Sequence, residues 1–583
     1  MSLICLIPAR AGSKNLSNKN LRTVGGISLV GRAVLTARGF IRLAGVTNAT
    51  ILVDTDAEAI AEEARRWGAT VPFLRPMELA GDAVSTAESS LAALNRLERG
   101  GAVFPTVVLL QPTSPLRSAE DVAACWSDYD VTERPSVISV SATEHPACLA
   151  LQLDPKGRVQ WPGNGGAAKR RQEYSRTFWP SGAVYLSSTA VLRREKSFIV
   201  PGLTVGVALP RSRSVDIDTE EDLVLAESLL GSSPPQSISL GGRVIGSGQS
   251  CFVIAEAGVN HNGDPGVAHR LIDVAAAAGA DAVKFQTFDP EELAAANAPK
   301  ADYQISQTEA GESQLEMLRR LVLPRESLAR LAAHAAERGL LFLSTAFDTG
   351  SADFLDDLGI PAFKVPSGEV TNHRFLAHLA RKGKPLLMST GMCTLPEVAE
   401  AVEVVRANGG PPLALFHCVS DYPAAPGDCN LRAIETMRRG FGVPVGWSDH
   451  TPGVTVGVAA VAAGASLIEK HFTMDQNLPG PDHQASLEPD ALTTFIAAIR
   501  EAHAAMGDGN KRPVAAEAAI AAVVRRSMHA ARSLPAGHVL EDGDLVALRP
   551  GTGIPPSSSN RLLGRALRVK VSRGEMLQDQ YLA

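Results

Sequence analysis

No stretch of the 583-residue sequence approaches the roughly 18 uninterrupted apolar residues of a membrane span, so no membrane partner is expected. The opening MSLICLIPAR has an apolar run too short for a secretory leader, with no basic segment before it and an arginine directly after it. Cysteine is scarce and scattered. The 7 residues are Cys5, Cys125, Cys148, Cys251, Cys393, Cys418 and Cys429, and none forms a CxxC pair. That pattern argues against a disulfide framework or a zinc site and points to reduced thiols in the cytoplasm. An excess of positive charge is missing too: the net charge is −6 and the pI ≈ 6.1, so nucleic acid is not an expected partner. Small anionic substrates stay open, because a pocket sets its own local charge.

What the chain does have is length and regular alternation. It is too long for one core, and its 45% hydrophobic and 20% charged residues are ordinary for soluble globular protein. Over 1–230 the β-rich runs LICLIPA, TILVDT, TVVLLQP, SVISVS and GAVYLSS alternate with Ala- and Glu-rich helical stretches, which predicts an α/β layered domain. The Ser-, Gly- and Pro-rich 231–250 reads as a linker. From 251 to 510, eight runs recur between helical segments: CFVIAEAG, DAVKFQTF, LLFLSTAF, AFKVPSGE, PLLMSTGM, LALFHCVS, VPVGWSDH and LIEKHFT. Eight such units predict a (β/α)8 barrel. PEELAAANAPKADYQISQTEAGES, after the second run, reads as a loop over one face. The last segment, 525–583, has short β-like pieces around RPGTGIPPSSS and reads as a small β-rich domain.

In the barrel runs the polar residues gather at the C-terminal ends, the rim that carries chemistry in this fold. They are Glu256, Lys284, Gln286, Thr345, Lys364, Ser367, Glu369, Ser389, Ser448, His450, Glu469 and His471. His450 and His471 are 21 residues apart, at the ends of neighbouring runs and beside Asp482 and His483. Two imidazoles there suit a first-row divalent ion, or each is a core histidine satisfied by backbone. Lys284 and Lys364 interrupt apolar strands, and a buried ammonium needs a counter-charge. A phosphate or carboxylate ligand, with Thr345, Ser367, Ser389 and Ser448 as hydroxyl donors, would supply it. So would pairing with Glu256, Glu369 or Glu469, and a Schiff-base lysine is the third possibility.

FVIAEAGVNHNGD, VKFQTF, FLSTAFD, FKVPSGE, MSTGM, GWSDHT, IEKHFT and GPDHQASL, in that order, resemble the N-acetylneuraminate synthase family over about 251 to 500. RPGTGI is similar to the antifreeze-like (SAF) domain that these synthases carry. The resemblance implies condensation of phosphoenolpyruvate with an N-acylated hexosamine. His450 and His471 would hold Mn2+ or Mg2+, and Glu256, Glu369, His450, His471 and Asp482 would form the catalytic set. Phosphoenolpyruvate would lie on Lys284, Thr345, Lys364, Ser367, Ser389 and Ser448. The amino sugar would meet Gln286 and Tyr422, with Arg549 reaching it from the SAF domain across a domain-swapped homodimer. Ser420 stands where some members have Asn.

The N-terminal LICLIPARAGSKNLSNKN places a Gly-containing loop and lysines after a strand, a turn able to cradle phosphates. With RPMELAGDA, LLQPTSPLR, RRQE and VDIDTEEDL following in order, the stretch 3 to 228 resembles the acylneuraminate cytidylyltransferase family, whose fold is Rossmann-like. The resemblance implies that Arg10, Ser13, Lys14, Lys19, Asn20, Arg75, Thr86 and Gln111 bind CTP and that Asp216 and Asp218 hold Mg2+. Spaced two apart, these carboxylates would share one face of a strand; alternatively they cap the helix that opens at TEEDL. Trp179 and Ser181 stand where several relatives carry Arg and Asn at the sugar-acid site. The expectation is a bifunctional enzyme that makes a nonulosonic acid and activates it as the CMP-sugar. A synthase with a degenerate nucleotide domain, and a Schiff-base sialic acid aldolase, are the rivals.

Overall fold

The computed structural model describes residues 2–13, 15–81, 83–143, 151–160, 176–232, 237–300 and 312–583. Within the N-terminal part a six-stranded sheet runs in the order β6-β4-β5-β3-β1-β2. The strands are β1 (Ser2–Pro8), β2 (Asn48–Asp54), β3 (Thr106–Leu109), β4 (Ser136–Ala142), β5 (Phe178–Ser188) and β6 (Val205–Ala208). β1 is apolar along its length because it pairs on both edges, in parallel with β2 and β3, and is covered on both faces. β5 alone runs antiparallel, between β3 and β4. The helix α1 (Leu29–Leu43) packs on this sheet and starts at Ser28, whose Oγ accepts from Gly31 N (3.1 Å).

The eight runs of the second part form a closed parallel barrel in sequence order. They are β9 (Phe252–Gly258), β10 (Ala282–Thr287), β11 (Leu341–Ala346), β12 (Phe363–Val365), β13 (Leu386–Ser389), β14 (Leu413–Cys418), β15 (Val445–Asp449) and β16 (Leu467–His471). β16 pairs back to β9, with Glu256 opposite His471. Residues 231–250, expected as a linker, are more than that. They contain a hairpin, β7 (Ile238–Leu240) with β8 (Arg243–Ile245), whose Ile238, Leu240 and Ile245 join Phe252, Ile254, Leu343, Leu387 and Leu467 in one buried cluster. The hairpin therefore closes the N-terminal mouth of the barrel with apolar side chains. Asp281 fastens it: the carboxylate pairs with Arg243 of β8 and Arg500 (2.6 Å) and accepts from Val253 N (2.7 Å).

Met1–Ala505 makes one compact unit. The N-terminal sheet domain meets the barrel's outer helices through Arg38–Glu400 (2.5 Å) and Arg42–Glu403 (2.9 Å), which join α1 to the barrel helix Leu395–Ala407. A further pair, Arg439–Glu227 (3.2 Å), joins the barrel helix Arg432–Phe441 to the helix Glu220–Ser232. Gly26 (φ 74°) approaches so closely that a Cβ there would collide with Thr436. Among the described residues no helix is long and apolar enough to cross a membrane.

Met506–Ala583 is a second unit. Its β17 (Ser527–Ala530) pairs antiparallel with β18 (Leu545–Leu548), and single bridges such as Leu534 to Val571 and Val539 to Ala566 extend the β structure. Met528, Leu534, Leu540, Leu562, Leu567, Val571 and Leu577 fill its core. The helix Ala515–Val524, AAEAAIAAVV, leads into it.

Asp281→Ala should loosen the barrel's plug. Losing charge-assisted hydrogen bonds costs about 1.5–3 kcal/mol, so the urea midpoint should fall with m unchanged, and residues 238–245 should exchange amide hydrogens faster. An unchanged midpoint would mean that the hairpin holds without Asp281.

Candidate functional site

Strand parity builds the barrel interior in layers. Successive residues point to opposite faces, so Ile254 and Glu256, Ala282 and Lys284, Leu343 and Thr345, Ala362 and Lys364, Leu387 and Ser389, and Leu467 and Glu469 each climb the same inner wall. The lower member of each pair lies in the apolar cluster over the hairpin. The upper members form a buried polar layer.

Glu469 is the hub of that layer. Its carboxylate takes Lys364 Nζ on both oxygens (2.8 and 2.9 Å), lies 3.6 Å from Lys284 Nζ and accepts from Ser448 Oγ (2.9 Å). Lys284 also pairs with Glu256 (2.7 Å) and donates to Thr345 Oγ1 (2.9 Å). Of the counter-charges open to the lysines, carboxylates of the same barrel are present: Glu256 and Glu469 pair with them. Burial pushes Glu256 up to about 7 against the pull of Lys284. Burial would raise Glu469 as well, but Lys284 and Lys364 together hold it far below the carboxylate range. Burial lowers Lys364, whereas Glu256 and Glu469 overcome burial and raise Lys284. Ser389 Oγ is buried without a partner, and Ser367 Oγ accepts from Gly391 N (2.9 Å).

His450 and His471 come together above this layer, with ring centroids 5.6 Å apart. Tyr422 stacks near both, 4.2 Å from His450 and 5.8 Å edge-on to His471. His450 Nδ1 lies 2.6 Å from Val419 O. A carbonyl only accepts, so that nitrogen carries the proton and Nε2 keeps its lone pair. His471 Nδ1 is buried with no partner. Burial pulls His450 down to about 4 and His471 well below its ordinary value. Two neutral imidazoles, neither paired with a carboxylate, fit a divalent ion. Among the described residues no three His, Cys, Asp or Glu side chains gather for one, so the remaining ligands would be substrate and water oxygens.

A cavity of about 460 Å³ opens over His471, bordered by Gln286, Ser367, Ser420, Tyr422 and Asp482; His450 lies behind Tyr422 and does not line it. Burial raises Asp482 to about 6. Phe288, Leu293, Met317, Leu321 and Phe347 give the cavity an apolar wall. Glu369 does not line it and instead accepts from Asn372 Nδ2 (2.7 Å). Arg549 is exposed in the second unit, directly after β18. Of the excursion after β10, 301–311 lies outside the described residues.

In the N-terminal domain a cleft of about 220 Å³ is lined by Arg10, Ser13, Lys19, Asn20, Arg75, Thr86 and Gln111. Lys14 and the RRQE segment lie outside the described residues. Arg75 is locked by a buried pair with Asp54 (2.8 Å), a partner the sequence reading missed. Asp216 and Asp218 do not share a strand face. They lie in the loop before the helix Glu220–Ser232, and Asp222 of that helix accepts from the backbone N–H groups of Asp218 and Thr219 (3.0 and 2.8 Å). Asp218 is exposed and paired with Lys19 (3.0 Å); Asp216 is exposed as well, with its carboxylate near Thr113, Gln111 and Gly182, and partial desolvation there raises its pKa. Ser181 is turned away from solvent, bonded to Ser139 Oγ (2.6 Å), while Trp179 is 63% exposed.

From the sequence Glu469 is a rim carboxylate able to pair with the lysines, without a role of its own in the site. Its signal was parity: two residues before His471 on one strand, it shares the inner face. Lys470, between them, points outward and pairs with Asp449 (3.2 Å).

The NeuB family profile matches residues 271–511. The N,N'-diacetyllegionaminic acid synthase of Legionella pneumophila is 46% identical over 341 residues, 58% of this chain and 96% of that protein. The chain belongs to the NeuB family. The synthase of the same name from Campylobacter jejuni is 42% identical, covering 56% of this chain and 99% of its own length. Human N-acetylneuraminate-9-phosphate synthase is 33% identical, covering 58% and 94%. Outside the NeuB match, residues 4–159 match the Cytidylyltransferase family and 525–583 the SAF domain. This NeuB-family chain thus carries a cytidylyltransferase domain ahead of its barrel and a SAF domain behind it.

Glu469→Gln strips the counter-charge from two buried lysines. Breaking a buried ion pair from one side costs about 3–5 kcal/mol, which urea unfolding should register. A loss below about 1 kcal/mol would show that the lysines do not depend on Glu469.

Proposed function

We propose that the barrel condenses phosphoenolpyruvate with an N-acylated hexosamine to give a nine-carbon 2-keto sugar acid and phosphate, and that the N-terminal domain activates the acid with CTP. The observation that carries the first half is the layer of desolvated, fixed lysines beneath two neutral histidines, with the unpartnered Ser389 hydroxyl beside it. Preorganised charge of this kind is worth most where water is excluded.

In this reading Lys284, Lys364, Thr345, Ser367, Ser389 and Ser448 hold the phosphate and carboxylate of phosphoenolpyruvate. Its C3 then attacks the open-chain aldehyde, positive charge develops at C2, water adds there, and phosphate leaves by C–O cleavage. Glu256 and Glu469 offset the charge at C2, and Asp482 and Glu256, with pKa values near neutrality, are placed to move protons. His450 and His471 would hold Mn2+ or Mg2+, which supplies a Lewis acid for the aldehyde oxygen. A Schiff-base aldolase is less well supported, since each lysine is committed to an ion pair.

The sugar we assign is a diacetamido-trideoxy hexose leading to a legionaminic-type acid. The relatives named for that product are 46% and 42% identical, against 33% for the human enzyme. The apolar wall of Phe288, Leu293 and Met317 also suits a deoxy methyl group better than a hydroxymethyl. A second copy of the chain is the proposed partner: Ile520, Val523 and Val524 lie 44–65% exposed on the apolar helix Ala515–Val524, and Arg549 would reach the sugar from the partner's SAF domain.

Mass spectrometry of reactions holding phosphoenolpyruvate, each candidate sugar, Mn2+ and CTP tests the whole reading. The expected product is the CMP-sugar from the diacetamido substrate, and exclusive use of N-acetylmannosamine would reverse the sugar assignment. His450→Ala or His471→Ala should lower condensation roughly a hundredfold or more and lower Mn2+ affinity by equilibrium dialysis. Near wild-type rates and affinity in both would dismiss the metal site.

For the second half, Asp216→Asn should stop pyrophosphate release while leaving condensation intact, because the Asp216 carboxylate lies beside Gln111 and Thr113 of the cleft. Asp218→Asn should do the same if the two share Mg2+. Unchanged pyrophosphate release in both variants would return the pair to capping the helix.

A further inference from the structure

A third cavity, about 680 Å³ and larger than either cleft, lies between the N-terminal domain and the barrel. Its walls come from α1 and residues 115–120 on one side and from the helices Leu395–Ala407 and Arg432–Phe441 on the other. It shares no lining residue with the catalytic clefts.

Four arginines, Arg32, Arg42, Arg117 and Arg406, face two glutamates, Glu120 and Glu403, in that lining. Arg42 is paired with Glu403 (2.9 Å), and Arg406 donates to Phe441 O (2.8 Å) and lies 3.9 Å from Glu403. The other two differ. Among the described residues neither Arg32 nor Arg117 has a carboxylate at ion-pairing distance. Arg117 is 4% exposed, spends Nη1 on the carbonyls of Gln111 (3.0 Å) and Ala183 (2.6 Å), and leaves a buried Nε without a partner. Arg32 donates from Nε to Val24 O (2.6 Å) and leaves a buried Nη2 without a partner. The carboxylate whose field reaches Arg32, Glu227, is engaged by Gly25 N and Arg439.

A guanidinium stays charged when buried. Burial pulls both groups down to about 10, still well above neutral pH. Among the described residues neither cation has a carboxylate in direct contact, only the fields of Glu227 on Arg32 and Asp121 on Arg117, and each leaves an N–H unpaired, which is costly. Phosphate matches the guanidinium fork. The apolar side chains of Leu35, Val402 and Phe441 offer the rest of a ligand a dry wall, and the volume is that of a site for a molecule of drug or nucleotide size.

We propose that the cavity between the two domains is a binding site for a phosphate-bearing small molecule, anchored by Arg32 and Arg117. The CMP-sugar, the last product, and phosphoenolpyruvate, the first substrate, both carry this chemistry and stand at opposite ends of the chain's proposed reactions, so CMP, as the nucleotide part of the first, and phosphoenolpyruvate are the probes, with inorganic phosphate as the minimal one.

Each probe is titrated calorimetrically into the full-length protein, the Arg32→Met variant and the Leu35→Trp variant. The tryptophan fills the cavity without touching an arginine and decides the matter if the methionine variant fails to fold. At least one probe should occupy a site beyond its catalytic cleft, and that event should weaken tenfold or more in either folded variant, with CTP turnover within twofold of wild type. Which probe binds identifies the ligand's source. If none binds outside the catalytic clefts, or the extra site persists unchanged in both variants, the proposal fails.

Discussion

One buried carboxylate organises the catalytic half of this protein. Glu469 sits where an apolar layer gives way to a polar one, and it holds Lys364, Lys284 and Ser448 at once. Charges at that depth cannot be left to water, because the hairpin below is dry and the strands around are closed into a ring. They must satisfy one another. The geometry of the whole rim follows from that requirement: the lysines are pinned, the hydroxyls take positions around them, and the histidines one step higher stay neutral because the cations beneath and the loss of water both oppose their protonation.

Much of this was legible in the sequence because barrel strands carry their own coordinates. Each of the eight runs became a strand, and the polar residues at their ends, from Glu256 to His471, do share one rim. What escaped was pairing. The sequence offers Glu256, Glu369 and Glu469 as partners for the lysines but not which of them faces Lys364; it is Glu469, 105 residues later. The same blindness concealed Asp54 behind Arg75 and misjudged Asp216 and Asp218, whose spacing suits a strand although the chain there is a loop running into a helix. Glu369 shows the converse: a carboxylate at a strand end that the local turn commits to Asn372.

The N-terminal cleft is built differently. Its candidate residues come from loops at the ends of β1, β2 and β3 and from the start of the helix Thr86–Arg99, and the one buried ion pair among the described ones is Arg75 with Asp54. Backbone-anchored groups such as Asn20, whose Nδ2 donates to Arg10 O (2.8 Å), give that cleft its shape. Asp216 and Asp218 both meet solvent, the first beside Gln111 and the second paired with Lys19. One half of the chain thus stores its electrostatics in a sealed core and the other in a surface loop.

The hairpin at the barrel's mouth changes what counts as a part of this chain. By composition the barrel begins at 251, and anyone dissecting the two halves would cut there. A barrel released at that point would lose Ile238, Leu240 and Ile245, exposing Phe252, Ile254 and Leu467 to water from below. The smallest self-sufficient barrel therefore starts ahead of Ile238. The piece that joins the two halves belongs, thermodynamically, to the second of them.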